Sequence, residues 1–144
     1  MASVREGVIE AVVRLWRQAA PNADVKRNPT AKPRVGPGGV INVRDGDPGP
    51  PEVDLSPLRY NYEHRIPCEV LAMAFGSTPA AAILDDVMTR FGALIAANRT
   101  LGGLAQFVDV EAPTFDEILA DGAAPIRVAD LAVVVQYATP NPLT

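Results

Sequence analysis

The sequence predicts an α+β domain: a mixed or antiparallel sheet of four to five strands, with two main helices packed on it and long loops between. Two stretches repeat apolar residues at the spacing of an amphipathic helix, one before Pro21 and one after Pro79. Elsewhere branched and aromatic residues alternate with polar ones at the period of two that a half-buried strand presents. The order is helix, strand, long strand, helix, strand, strand, which favours helices lying on an antiparallel or mixed sheet. With 144 residues, 48% of them hydrophobic and 21% charged, the chain reads as one globular domain spanning 1–144.

The first helix is predicted from Val4 to Ala20. Ser3 followed by Glu6 forms a capping box, and Val8, Ile9, Val12, Val13, Trp16 and Ala19 make one face before Pro21 stops it. From Asn22 to Gly39 the composition turns to Pro, Gly, Lys and Arg. Here "KRNPTAKPRVGPGG" holds four of the thirteen basic residues: Lys26, Arg27, Lys32 and Arg34. This segment reads as an arm or long loop, with a short strand near Val25. "GVINVR" then predicts a strand over Val40 to Arg44, because branched residues suit a pleated sheet and "DGDPGPP" ends it. The loop that follows is acidic, carrying Asp45, Asp47, Glu52 and Asp54.

The longest strand is "LRYNYEHRIPCEVLAMAF", residues 58–75. By parity Tyr60, Tyr62, His64, Ile66, Cys68 and Val70 share a buried face, while Arg59, Asn61, Glu63, Arg65 and Glu69 share a wet one. Pro67 cannot donate to a ladder, so a bulge or an edge is expected there. Thr78 as N-cap and Pro79 at the first helical position open the second helix. Its stripe is Ile83, Leu84, Val87, Met88, Phe91, Leu94 and Ile95, with Asp86 and Arg90 able to pair outside it. It ends near Asn98, and the double glycine in "LGG" turns the chain sharply into a strand over Leu104 to Glu111. "PTFDEILADG" reads as a loop with one helical turn. "RVADLAVVVQYAT" is the last strand, with Ala129, Leu131, Val133, Val135 and Tyr137 on one face, and "PNPL" ends it.

Charge and chemistry exclude more than they assign. A net charge of −4 argues against a main partner gripped through nucleic-acid phosphates, which calls for a basic face. The single cysteine, Cys68, excludes an internal disulfide framework and a multi-thiolate metal site, and fits a reducing compartment. The N-terminus carries Arg5, Glu6, Glu10 and Arg14 among its apolar residues, so it reads as neither a signal-peptide core nor a membrane span. His64 and Cys68 share a strand face, but four residues of strand put them about 13 Å apart, out of reach as base and nucleophile. His64 has no companion at metal-ligand spacing and reads as a structural histidine; Cys68 reads as a small core residue. Asp85 and Asp86 point about 100° apart and read as solvated residues at a helix start. Gly36, Gly38 and Gly39 with Lys32 and Arg34 lack the strand–loop–helix context of a phosphate cradle. No catalytic residue, cofactor or metal site is expected.

One resemblance spans nearly the whole chain. The helix running into "NRTLGGLAQFVDVE", a loop, and the terminal "LAVVVQYATPNPL", preceded by "INVRDGDPGPPEVDLSPLRYNYEHRIPCEV", resemble the tail terminator and neck-type completion proteins of long-tailed bacteriophages, prophages and gene transfer agents. The resemblance implies a structural virion protein at the head-proximal end of the tail, made in the bacterial cytoplasm. It would form a ring with itself, usually a hexamer, that ends the tail tube and joins it to a head-side connector or stopper protein. DNA would pass through without specific binding. Under this reading Asp45, Asp47, Glu52 and Asp54 face a partner ring or the DNA channel, and Lys26, Arg27, Lys32 and Arg34 meet acids of the next subunit. Solvated loop charge, or pairing of the two runs within one chain, is the plainer alternative. Another neck adaptor, a monomeric adaptor and a small enzyme are the competing functions.

Overall fold

Ser3 opens α1 (Val4–Ala19) by accepting the Glu6 amide on its hydroxyl at 3.1 Å, which satisfies one of the amides that a helix start leaves unpaired. The computed structural model describes residues 2–32, 34–119 and 122–144. The predicted apolar stripe is the buried one, from Val8 through Trp16 to Ala19. The chain continues through β1 (Asp24–Arg27), β2 (Val40–Val43), β3 (Glu52–Leu55), β4 (Leu58–Ala72), α2 (Ala80–Ala97), β5 (Phe107–Val110), β6 (Thr114–Ile118) and β7 (Ile126–Thr139). The fold is α+β, with two α-helices on a mixed sheet of seven strands rather than four to five.

The long strands β4 and β7 form the spine of the sheet. They run antiparallel in unbroken register from Tyr60 opposite Thr139 to Ala72 opposite Arg127. The outer edge of β4 carries β2 at one end and the hairpin partner β3 at the other. The outer edge of β7 carries β6 beside Ile126–Asp130 and β5 beside Val133–Gln136. β1 extends the β2 side and pairs with it in parallel.

The helices cover one face of this sheet. Tyr62, His64, Ile66, Cys68 and Val70 of β4, with Ala129 to Tyr137 at alternate positions of β7, are buried under them. Trp16 of α1 stacks flat against Phe91 of α2, ring centroids 3.6 Å apart, and its Nε1–H donates to Cys68 Sγ at 3.4 Å. The two helices are thus locked to each other and to the sheet through one tryptophan. On the opposite face a small apolar cluster forms where Val40, Leu71 and Val128 pack under Val35 and Ile126, and Phe107, Ile118 and Val134 stand among its polar residues.

The short strand expected near Val25 is β1, which forms because Asp24–Arg27 finds the free edge of β2, so Lys26 and Arg27 lie on a strand. Other expected elements are corrected. Glu52 and Asp54 lie on β3 and not in a loop, since Ser56–Pro57, joined by a cis peptide bond, folds the segment back onto β4 as a hairpin. The expected helical turn in "PTFDEILADG" is β6: Thr114–Ile118 pairs with Ile126–Asp130, and tertiary pairing overrides the weak local preference of its acids. Ala120 and Asp121 of that stretch, and Pro33 of the arm, lie outside the described residues. α2 is capped at Pro79 without a side-chain hydrogen bond, and Thr78 instead bridges back to Phe75, so β4 stops at Ala72. After α2 the turn at Leu101–Gly103 holds Gly102 and Gly103 at φ of +69° and +98°, the left-handed region that favours glycine. That turn delays β5 to Phe107. Pro67 causes no bulge. Its carbonyl accepts the Arg44 amide, so its nitrogen faces the gap between β2 and β3, where β4 is locally an edge.

Candidate functional site

The expected basic arm and acidic loop divide into three groups. Arg27 is the hub of the first. Its guanidinium donates to Glu6 at 2.5 and 2.8 Å, to Glu10 at 2.6 Å, and to Asp45 at 2.7 and 3.0 Å. The network sews α1, β1 and the segment after β2 into one unit within the chain. The Arg27 guanidinium holds the Glu6 and Asp45 carboxyls below the usual carboxylate range, and those carboxylates in turn raise its own pKa. The second group is Lys26, which pairs with Asp24 at 3.3 Å on its own strand. The third is exposed and uncommitted: Lys32 and Arg34 make no ion pair among the described residues, and neither do Asp47, Glu52 and Asp54. Asp47 caps its own turn by accepting from the Gly49 amide, and Asp54 accepts from Asn61. The structure therefore brings Arg27 and Asp45 together inside one subunit, pairs Lys26 on its own strand, and leaves Lys32, Arg34, Asp47, Glu52 and Asp54 without an ion pair among the described residues.

His64 is fully buried at the end of that network. Its Nε2 lies 2.6 Å from the Asp45 carbonyl, which can only accept, so the proton sits on Nε2 and Nδ1 accepts from the Tyr137 hydroxyl at 3.0 Å. Burial lowers its pKa, favouring the neutral ring, and the Tyr137 hydroxyl is pushed up to about 12 by its own burial. Cys68 is buried against Trp16, and burial pushes its thiol up to about 12. Neither group is presented to solvent. Among the described residues no cluster of three or more His, Cys, Asp or Glu is arranged to hold a metal ion, and no helix is long and apolar enough to cross a membrane.

The sheet face that the helices leave open carries most of the remaining charged strand residues. Register places Glu52, Asp54, Glu63, Glu69, Asp109, Asp116 and Asp130 on it, against Arg59 and Arg65, with the paired Asp24 and Lys26 at the β1 edge. Arg65 is taken up by a two-pronged bridge to Glu111 at 2.7 and 2.8 Å. Glu69 and Asp130 stand directly opposite each other, and Glu69 also accepts from the buried Asn42 amide at 2.9 Å. Partial burial, with Glu69 and Asp116 nearby, raises the Asp130 pKa. Beside the hairpin a polar hollow of about 560 Å³ is lined by Glu52, Asp54, Asn61, Glu63, Gln106 and Gln136. Sequence reasoning placed Glu63 and Glu69 on the wet face but assigned them no role. The strand parity that sorted them was signal enough, whereas Asp116 and Asp130 needed the pairing of β6 with β7.

No protein-family model matches the chain, and no curated protein matches it. The geometry by itself defines a class of architecture: a two-layer α+β subunit, helices on one face of the sheet and an open acidic wall on the other.

Proposed function

We propose that the chain is a ring-forming structural subunit that ends a phage-type tail tube and joins it to the head connector, with its open sheet face turned to the DNA channel. The acidic character of that face carries the reading. Its excess of carboxylates over basic groups repels phosphates, which is what a conduit for passing DNA requires and what a DNA-gripping protein avoids. The resemblance of nearly the whole chain to tail terminators supports it further. So does the investment of His64, Cys68 and Arg27 in internal contacts, which leaves the surface to interaction rather than chemistry. Its partners are copies of itself, the tail tube protein, and a connector or stopper protein.

The experiment reverses the wall. The purified protein should not retain duplex DNA even at low salt. The double variant Glu63→Lys and Glu69→Lys should retain it, with an affinity that falls steeply as salt is raised. Wild-type protein that binds DNA tightly at physiological salt would defeat the reading.

A further inference from the structure

The sheet is longer than its helical cover. The β4–β7 ladder spans thirteen residue pairs, roughly 40 Å, while α2 spans roughly 27 Å. The helix-side face therefore emerges at two diagonal corners, and both are apolar. At the first, the β3–β4 hairpin sets Val53, Leu55 and Leu58 in one exposed patch, with Leu55 81% exposed. At the second, β6 projects past α2 and leaves a groove of about 270 Å³. Its floor is Trp16, Met88, Phe91, Val110 and Leu131, with Phe115, 54% exposed, on one wall and the carboxylates of Asp85 and Glu111 at its rim.

We infer that the hairpin of one copy docks into the α2–β6 groove of the next, so that subunits join head to tail through an apolar knob and its socket. This rests on the ring reading above and names the contact that would build the ring. The argument for a second copy as occupant is that one contact covers both corners. A two-fold dimer would bury one corner against itself and leave the other in water, whereas a head-to-tail contact repeats and closes. Charge agrees with this geometry. The hairpin carries Glu52 and Asp54 on its open-face side. At the socket end the open-face side is overlain by the arm, whose Val35 packs with Val128 and Ile126 and directly follows the exposed Arg34. Knob and socket thus match apolar to apolar on the helix side, where Arg65 neutralises the rim carboxylate of Glu111 and Asp85 stays outside the apolar floor, and acid to base on the other. Simple edge pairing of β3 with β6 is disfavoured, because it would set Asp54 and Glu52 against Asp116.

Two variants separate the halves of the contact. Leu55→Asp spoils the knob and leaves the groove; Thr89→Glu charges the mouth of the groove from an exposed helix position and leaves the knob. Sedimentation of each alone should show monomer at concentrations where wild type assembles, with association weakened about thirtyfold or more. Mixed one to one, they should give a heterodimer and nothing larger, since only one competent pair remains. Circular dichroism should show both variants folded, and Phe115→Asp serves as a second groove variant. If wild type assembles and the variants assemble equally well, the docking inference fails while the ring reading stands. If these contacts form an open filament or a dimer, the docking holds and the tail-closing reading fails. Wild-type protein that stays monomeric overturns both.

Discussion

Arg27 is where the fold concentrates its charge. It sits among three carboxylates and is only about a fifth exposed, so Arg27→Met would leave Glu6, Glu10 and Asp45 facing one another. The expected cost is about 1–2 kcal/mol, between that of an exposed pair and a buried one. Glu6 and Asp45 have lowered pKa values in the fold, so their contribution is complete above the unfolded carboxylate range of about 4. It is lost as pH falls through the lower folded values. Urea unfolding of wild type and Arg27→Met should therefore differ at pH 7 and converge in acid; a gap that persists at pH 2 would show that the network acts through packing alone. His64 titrates with the same sense for a different reason. Its folded pKa is lowered by burial, so its neutral form is favoured above about 6.5 and stability falls as pH drops below that. His64→Gln should flatten that dependence and leave assembly intact, as a structural histidine requires. Loss of assembly in a folded variant would give His64 a role at the interface.

At the scale of elements, legibility followed the physical source of each one. α1, β4 and β7 were readable because a long periodic pattern fixes both the element and its buried face: every one of Ala129, Leu131, Val133, Val135 and Tyr137 is buried. Trp16, Phe91, Leu131 and Val133, expected in the core, are buried, while Leu94 is only half so because it flanks the stripe that Phe91 and Ile95 centre. The strands β3 and β6, of four and five residues, were not readable, since they exist only through a neighbour's edge, whereas β1 showed as a short strand near Val25. Glu52 and Asp54 look like loop residues until Ser56–Pro57 folds them onto Arg59 and Asn61, and Asp116 and Glu117 look like a helix start until β7 pairs with them. The acidic face was half legible for the same reason. Phe91 joins the layers by its stack on Trp16, so Phe91→Ala should cost about 3–5 kcal/mol in urea unfolding. A loss below about 1 kcal/mol would mean that the two helices do not depend on that stack.

In the whole molecule a helical layer covers one face of the sheet, an acidic face stands open opposite it, and two apolar corners lie exposed. Leu55, Leu58 and Phe115 stand exposed on the helix side of the sheet, while His64 and Cys68 are each buried and partnered. Lys32 and Arg34 enter at this scale as well. Reversing both to Glu should weaken association chiefly at low protein concentration, because exposed pairs are each worth about 0–1 kcal/mol. Reversing Glu52 and Asp54 to Lys in the same chain should partly restore it. The most direct measurement is electron microscopy of the purified protein, with its mass fixed by sedimentation. The account predicts closed rings of uniform subunit number, the helices outside and the Glu63–Glu69 face lining the channel. A homogeneous monomer at every concentration, or a ring whose channel is lined by the helices, would contradict it.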